Sequence, residues 1–404
     1  MTHAAPDEVE DAGGGDAEGA FEQEDISLTQ PDIGNAEVRV IERILNTASL
    51  NDGRLTEAFE EAFATYVGRR HAIAVTSGTM AMVLALRAYG FGPGTDILCS
   101  PYGWHQTVHA VALVGANPVF SDIDYWSHTL NPVKAAERIT PATRAIIAGN
   151  TNGHPAPWDE LRALAGERGV VLIEDSTEAI GSTYHGRIVG SFGDCAIFDF
   201  SEPGPLLCGE GGMIVTDDDA LFDEIWSFKD HGKDRALVFQ KDPAPGFRWL
   251  HAAGPGTNLR MTAPSAALGR VQLRRLPEWQ AARERNALRL AAALEGTELL
   301  RIPMPPEGMT HAWYRFYAFV RPERLAPGWD RDRILATMAA RGRPVLTGSC
   351  SEIYREAIFA PPGLHPPEPL PVARALGETS LCLLVDPTWT EDELDAVASA
   401  LVET

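Results

Sequence analysis

Lysine is scarce in this chain of 404 residues, although 34 residues are Lys or Arg. The only lysines are Lys134, Lys229, Lys233 and Lys241. A side chain that forms a Schiff base with a carbonyl compound has to be a lysine amine. Chemistry of that kind would therefore have to use one of these four positions.

Positive charge is limited in the chain as a whole. The net charge is -22, and the arginines are scattered along the sequence. Contact with nucleic acid or with an anionic membrane surface depends on clustered Lys and Arg, so we expect neither partner. A transmembrane segment and a secretion signal are also not expected, because no run approaches 18 apolar residues and the N-terminus lacks a basic start. These features predict a soluble cytoplasmic protein.

The five cysteines form no CxxC pair and no His-rich spacing typical of a metal site. We therefore expect buried free thiols and no bound metal.

Three parts of different composition follow one another along the chain. Residues 1–25 are acidic, rich in Gly and Ala and free of Lys and Arg, which predicts a disordered acidic tail. Residues 26–262 are predicted to form a large α/β domain with N-terminal helices. Residues 263–404 are predicted to form a small α+β C-terminal domain, with a connecting helix from Ser265 to about Glu295. The hydrophobic content of 45% is sufficient for a large core.

Short apolar runs alternate with helical patterns between His71 and Thr216. Such alternation is typical of crossover units and of a mainly parallel, buried sheet. The predicted strands are Ala72–Val75, Asp96–Cys99, Pro118–Asp122, Ala145–Ala148, Val170–Glu174, Cys195–Phe200 and Gly212–Thr216. Ligands of such sheets bind outside the carboxyl ends of the strands.

The segment Val75–Thr79 ends a predicted strand and opens a predicted helix. Its backbone N–H groups and the positive end of the helix could receive a phosphate or another anion. Taken alone, a Ser-Gly-Thr turn is more often only a helix cap. Further segments in a definite order give it more weight.

These further segments are Gly92–Asp96, Trp104, Gly115–Asp124, Ile173–Asp175, Gly209–Gly212 and Thr257–Thr262. Together with the Ser-Gly-Thr turn, they closely resemble the DegT/StrS sugar aminotransferase family of fold type I pyridoxal phosphate proteins. The resemblance runs from about Ile26 to the C-terminus. It implies a three-layer αβα large domain with a mainly parallel sheet and a smaller C-terminal α+β domain.

The resemblance also implies roles for individual residues. In the family, residues matching Gly78 and Thr79 hold the cofactor phosphate, and an aromatic residue matching Trp104 stacks on the pyridine ring. The carboxylate matching Asp175 pairs with the ring nitrogen and keeps it protonated. An Asn matching Asn258 reaches the phosphate of the neighbouring subunit, which implies a dimer.

The chain departs from the family pattern at the cofactor anchor. Relatives have a Phe-Ser-Phe strand followed by a Schiff-base lysine, whereas this chain has Phe198-Asp199-Phe200 and Gly204 at the lysine position. Asp199 thereby places a negative charge where the resemblance implies a phosphate. Covalent attachment of pyridoxal phosphate at Gly204 is excluded, so we expect no cofactor.

Three functional hypotheses remain open. The first is a repurposed enzyme of sugar, cyclitol or natural-product biosynthesis, in which Asp175, Glu178, Glu202 and His105 perform acid–base chemistry without pyridoxal phosphate. The second is a non-catalytic partner that forms a heterodimer with an active paralogue instead of a homodimer. The third is an aminotransferase or dehydratase that binds pyridoxal or pyridoxamine phosphate without a covalent link.

Three residues are candidates for contact with a small-molecule substrate. The family's His-Leu-Tyr-Gly-Gln loop corresponds here to Asn150–His154, so Asn150 and His154 change the polar lining of the pocket. Arg260 matches a family substrate contact. It could instead pair with a nearby carboxylate.

Overall fold

The computed structural model describes residues 32–46, 50, 53–201, 204–343, 345–361 and 363–404. The predicted acidic tail, residues 1–25, lies outside the described residues.

The strands of the described part are numbered here in chain order. They are β1 His71–Val75, β2 Asp96–Cys99, β3 Asn117–Phe120, β4 Thr143–Gly149, β5 Val171–Asp175, β6 Thr183–Tyr184, β7 Arg187–Ile188, β8 Cys195–Asp199, β9 Gly212–Thr216, β10 Leu300–Arg301, β11 Met309–Thr310, β12 Phe316–Val320 and β13 Ser380–Leu383.

The α-helices are numbered in the same way. They are α1 Asn35–Leu45, α2 Gly53–Val67, α3 Gly78–Ala88, α4 Gln106–Leu113, α5 Pro132–Arg138, α6 Trp158–Arg168, α7 Asp219–Lys229, α8 Arg235–Val238, α9 Ala263–Ala293, α10 Arg331–Ala340, α11 Pro371–Thr379 and α12 Glu391–Val402. No helix in the described ranges has both the length and the apolar character that crossing a bilayer requires.

A seven-stranded sheet in the order β1-β9-β8-β5-β4-β2-β3 forms the centre of the fold. Five neighbouring strands, β3, β2, β4, β5 and β8, are parallel, and β9 pairs antiparallel with both β8 and β1. The expectation of a mainly parallel sheet in an α/β fold is therefore confirmed. Because the parallel strands end at the same edge, the side chains that follow β2, β4, β5 and β8 come close together.

The strands are apolar on both faces because both faces of the sheet are covered. All five residues of β8 are buried, and the same holds for β9. One face packs on α3 and α4 through a cluster that includes Ile73, Met82 and Val111. The other face packs on α2 and α9 through a cluster that includes Phe59 and Phe198.

The long helix α9 leads from the large sheet to a smaller one. Thr262 caps its start by accepting a hydrogen bond of 3.3 Å from the amide of Ser265. A three-stranded sheet, β10-β12-β13, and the flanking helices share a separate apolar core built around Phe316, Met338 and Leu394. The division into residues 26–262 and 263–404 as domains stays a prediction.

Candidate functional site

Two adjoining cavities lie at the carboxyl edge of the large sheet. Trp104, Thr177 and Glu178 line both of them. The first cavity is also lined by Ser100, Tyr102, Gly103, Thr107, Val108, Ile147, Gly149, Asn150, Thr151, Asp175 and Ile353. The second is also lined by Gln106, Asp199, Ser201, Gly204 and Tyr314. The structure thus brings together five of the residues selected from the sequence in one place, and Asn150 with them.

Asp175 is the last residue of β5, so its carboxylate emerges at the edge of the sheet. Its Oδ2 accepts a hydrogen bond from the hydroxyl of Thr107, which lies in the first turn of α4. Its Oδ1 accepts a bond of 3.2 Å from the amide of Thr177. These two neutral donors fix the direction of the carboxylate.

Glu178 lies three residues beyond Asp175 and faces the same cavities. Its Oε2 accepts a hydrogen bond of 2.7 Å from the amide of Asn152. Burial raises the pKa of the Glu178 carboxyl to about 7, and the charge of Asp175 adds to the rise, while the Asn152 amide and Arg315 oppose it. A carboxylic acid of this kind is available as a proton donor near neutral pH.

Asp199 ends β8 and lies against the start of α3. Its Oδ2 accepts a hydrogen bond of 2.7 Å from the amide of Gly78, the first residue of α3. Its Oδ1 accepts bonds from the amide of Ser201, at 2.8 Å, and from the Ser201 hydroxyl. A Cβ atom at Gly78 would lie 2.6 Å from the Asp199 Cβ and Oδ2 atoms. The positive end of α3 is therefore already paired with a carboxylate.

Gly204 lines the second cavity beside Asp199. A Cβ atom at this position would lie 2.8 Å from the carbonyl oxygen of Ser201, so the loop as it stands leaves little room for a side chain. Glu202, selected as a catalytic candidate, lies outside the described residues. Thr79 is the second residue of α3 and is not among the cavity-lining residues described.

The lysines of the chain are placed elsewhere. Lys229, in α7, is 6% exposed, and its Nζ lies 3.0 Å from Oε1 of Glu60 and 3.4 Å from the carbonyl oxygen of Ala74. Lys233 pairs with Asp230 at 2.9 Å. None of the described residues that line the two cavities is Lys or Arg.

His105 is not among the described lining residues of either cavity. It precedes α4, with its ring centroid 5.1 Å from that of Trp104 and 5.4 Å from that of His109. Trp104 itself is 42% exposed. The structure thus places the indole, but not the imidazole, on the cavity surface.

Asn150 lines the first cavity, yet its side chain is fully engaged within the protein. Its Nδ2 donates bonds of 2.9 Å to Glu174 Oε1 and to Ser176 Oγ. Its Oδ1 accepts bonds from the Ala156 amide at 2.9 Å and from Trp158 Nε1 at 3.0 Å. This arrangement gives Asn150 a supporting role and leaves its amide no spare group for a substrate.

His154 is 3% exposed and is not among the described lining residues. Its Nδ1 donates a bond of 2.7 Å to the carbonyl oxygen of Pro155. Burial lowers the pKa of this imidazole, which favours its neutral form. The proposed contact of His154 with a substrate therefore has no support in the geometry.

Glu174, which was not selected as a site residue from the sequence, supports the site by binding the side chains of Asn150 and Ser176. It is 0% exposed and accepts hydrogen bonds from Asn150, from Ser176 and from three backbone amides. Those amides belong to Gly190 at 2.5 Å, Phe192 at 2.9 Å and Gly193 at 3.2 Å. The sequence offered one signal for this role, namely a second acidic residue directly before Asp175 at the end of a strand.

Arg260 and Asn258 lie outside the described lining of both cavities. Arg260 pairs with the carboxylate of Asp230. Although burial opposes it, Lys233 and Arg260 hold the pKa of the Asp230 carboxyl below its usual value. Asn258 is exposed and forms a backbone bridge with Asp230.

Residues 31–402 match the model of the DegT/DnrJ/EryC1/StrS aminotransferase family. The chain belongs to this family. The spore coat polysaccharide biosynthesis protein SpsC of Bacillus subtilis is 32% identical over 385 residues, which cover 93% of this chain and 96% of SpsC.

Solved structures show the same fold. An aminotransferase from Psychrobacter cryohalolentis is 38% identical, with a TM-score of 0.89 over 92% of this chain and 96% of that one. DesV of S. venezuelae, solved with a ketimine intermediate, is 30% identical, with a TM-score of 0.81 over 91% of this chain and 93% of that one. The fold is therefore that of the fold type I aminotransferases.

Members of this family normally bind pyridoxal or pyridoxamine phosphate, and the residues of this site fit only part of such a group. Asp175 and Trp104 are suitable for a protonated ring nitrogen and a ring face. The start of α3 does not fit the phosphate, because Asp199 already accepts the Gly78 amide. Gly204 supplies no amine. The residues present do not fit the cofactor as a whole.

Proposed function

We propose that this chain is an enzyme of small-molecule biosynthesis that performs acid–base chemistry in its pocket without pyridoxal phosphate. Its substrate is a sugar, a cyclitol or a related natural-product intermediate. The relatives support this substrate class, since SpsC is named for polysaccharide biosynthesis. The observation that carries the proposal is the hydrogen bond from the Gly78 amide to Asp199.

A phosphate dianion at the start of α3 would have to replace or adjoin the Asp199 carboxylate. Like charges at contact distance repel by about 4 kcal/mol at an effective dielectric constant of 20. The carboxylate is 6% exposed and is held by both the Gly78 and the Ser201 amides. The site therefore disfavours the phosphate of a pyridoxal cofactor.

The chemistry is assigned to Asp175 and Glu178. Two carboxyl groups in one site can supply an acid and a base. Glu178, whose pKa is raised to about 7, is suited to donate a proton. Asp175, oriented by Thr107 and Thr177, is suited to accept one.

A second candidate function is that of a site-completing partner subunit. Asn258, which the family resemblance assigns to the neighbouring subunit's site, is exposed and lies outside the described lining of its own cavities. Phe247 and Trp249 lie in the same segment as Asn258, between α8 and α9, and their side chains are 82% and 83% exposed. Such a surface suits contact with a second chain, either a copy of this one or a paralogue.

The test is to add pyridoxal phosphate to the purified protein, record the visible spectrum, reduce with borohydride and map any adduct by mass spectrometry. We expect neither a cofactor band nor an adduct. DesV, solved with a ketimine intermediate, serves as the positive control. A specific adduct on one of the lysines would overturn the proposal. A band without an adduct would favour non-covalent cofactor binding.

The partner function is tested separately. The chain is assayed alone and mixed with a lysine-bearing paralogue. Activity found only in the mixture, together with its loss in the Asn258→Ala variant, would favour the partner function. Activity of the chain alone would contradict it.

A further inference from the structure

Two residues with a left-handed backbone meet next to Glu178. Asn152 has a φ of 60° and a ψ of 11°, and His128, in the loop after β3, has a φ of 63°. Residues other than glycine seldom adopt this conformation, although Asn and His do so more often than most. Asn152 Nδ2 lies 3.4 Å from His128 Nδ1, so the two side chains are in contact. Strained backbone of this kind is concentrated at functional sites.

The backbone of Asn152 directs its amide at the carboxyl group of Glu178. The amide donates a hydrogen bond of 2.7 Å to Oε2. A donor at this atom fixes the direction of the carboxyl group and favours its charged form. The conformation of Asn152 therefore affects both the orientation and the proton affinity of Glu178.

The side chain of Asn152 lowers the stability of its own turn. The residue is 0% exposed, and its Oδ1 has no hydrogen-bond partner in the described part of the chain. A glycine would adopt the same backbone without strain and without an unpartnered oxygen. The stability of the turn thus does not explain why an asparagine stands here. Its contact with His128 is a feature that a glycine would lack.

His128 is a fixed support for that side chain. It is 2% exposed, and its ring packs on Phe319 of β12 with the ring centroids 4.7 Å apart. Its amide donates a bond of 3.1 Å to the carbonyl oxygen of Asp124. A backbone bridge between Ile123 and Leu130 closes the loop around it. The imidazole is therefore held from the small sheet as well as from its own loop.

The ring of His128 is neutral in the fold. Burial lowers its pKa well below the usual value, and Arg301, His154 and His311 add to this effect. A neutral imidazole has one ring nitrogen without a proton. Nδ1 can therefore accept a hydrogen bond from the side-chain amide of Asn152.

We propose that His128 and Asn152 are positioning residues for Glu178. His128 holds the side chain of Asn152, and the residue held in this way keeps its amide directed at Oε2. This inference rests on the proposed function, in which Glu178 donates a proton. It adds two residues that are not among the described lining residues of the cavities.

Other titratable groups also face Glu178. Four of them have pKa values that burial raises, so they are neutral near pH 7, and they are Tyr102, Tyr314, Tyr317 and Cys382. Two are charged: Asp175 adds to the rise of the Glu178 pKa, and Arg315 opposes it. These groups are unchanged in a variant at position 152 or 128. A shift in the titration of Glu178 in such a variant therefore reports on the amide.

The test follows the protonation of Glu178 by infrared spectroscopy of the purified full-length protein, titrated from about pH 5 to about pH 9. The band of the protonated carboxyl group is assigned by subtracting the spectrum of Glu178→Gln. Asn152→Gly keeps the left-handed backbone accessible and removes the side chain that His128 holds. We expect the titration midpoint of Glu178 to rise by about one pH unit in this variant, because the amide no longer stays on Oε2.

His128→Asn tests the support from the second residue. Asparagine tolerates the left-handed backbone but is shorter than histidine, so we expect a smaller rise of the midpoint. The double variant Asn152→Gly/His128→Asn should have the midpoint of Asn152→Gly alone, since His128 acts through Asn152. His185→Asn is the matched control. This exposed histidine, with a φ of 49°, lies in the turn between β6 and β7, and its replacement should leave the midpoint unchanged.

An unchanged midpoint in Asn152→Gly would overturn the positioning role of Asn152. An unchanged midpoint in His128→Asn, or a further rise in the double variant, would overturn the role of His128. None of these results would affect the proposed function, which the cofactor spectrum tests independently. Conversely, a lysine-bound cofactor in the wild-type protein would refute the proposed function, whatever the titrations show.

Discussion

The Asp199 carboxylate and the Gly78 amide are joined by a hydrogen bond of 2.7 Å at the first turn of α3. This bond connects the end of β8 with the start of a helix on one face of the sheet. It also uses the helix end that could otherwise bind a phosphate. The Asp199 side chain therefore connects two elements of the fold and also disfavours a phosphate at the start of α3.

Replacing Asp199 by Ser should open the start of α3 to an external anion. We expect the variant to lose about 1–3 kcal/mol of unfolding free energy, because the Gly78 amide loses its buried partner. Inorganic phosphate should then raise the melting temperature of the variant but not that of the wild type. Thermal unfolding in phosphate and in chloride of equal ionic strength provides the measurement, and an equal phosphate response of both proteins would contradict the expectation.

Glu178 should make stability fall as the pH rises from about 4.5 to about 7. The usual pKa of this carboxyl is 4.5, whereas its pKa in the folded protein is about 7. Between these two pH values the unfolded chain has released a proton that the folded chain still binds, so the folded state loses stability as the pH rises. Glu178→Gln removes this group. The stability of the variant relative to the wild type should therefore increase with pH, as measured by urea unfolding between pH 5 and pH 8. A constant difference across that range would argue against the raised pKa.

Most of the fold could be predicted because its elements carry strong local patterns. Strands such as Asp96–Cys99 and Gly212–Thr216 have the predicted bounds, since continuous apolar runs mark strands buried on both faces. Helix α5, Pro132–Arg138, was not predicted, because it is short and has few apolar positions. The antiparallel direction of β9 depends on topology, which no local pattern records.

The site could be predicted in part. The order of its motifs identified Asp175, Asp199 and Gly204, which the structure places on the cavities. The sequence could not show that the side-chain amide of Asn150 donates a hydrogen bond to Glu174, because this contact joins the ends of two neighbouring strands. His105 was chosen for acid–base chemistry and His154 for its place in the loop that matches the family's His-Leu-Tyr-Gly-Gln loop. Neither is among the described lining residues of the cavities, because the backbone path around each histidine directs its side chain elsewhere.

Glu174 and Asp175 are neighbours in sequence, but loss of the charge should destabilise the fold much more at Glu174 than at Asp175. Glu174→Gln puts amide hydrogens among the donors that now surround a buried carboxylate, so we expect a loss of about 3 kcal/mol or more of unfolding free energy. Asp175→Asn changes a partly buried group with two described donors, and we expect a loss of about 1 kcal/mol or less. The unfolding free energies of the two variants are measured by urea unfolding. Similar losses in both would contradict a structural role for Glu174 and a catalytic role for Asp175.

Lys229 should prove to be a structural lysine. Its buried ion pair with Glu60 joins α7 to α2, and Glu60 also accepts a bond of 2.8 Å from the Ala74 amide in β1. Lys229→Met leaves the Glu60 carboxylate without its cation, so we expect a loss of about 3–5 kcal/mol of unfolding free energy. The double variant Lys229→Met/Glu60→Gln should recover part of that loss.

The control is the exposed pair of Arg374 and Glu378, where Arg374→Met should cost about 1 kcal/mol or less. A loss of unfolding free energy in Lys229→Met that is no larger than the loss in Arg374→Met would contradict the structural role of Lys229.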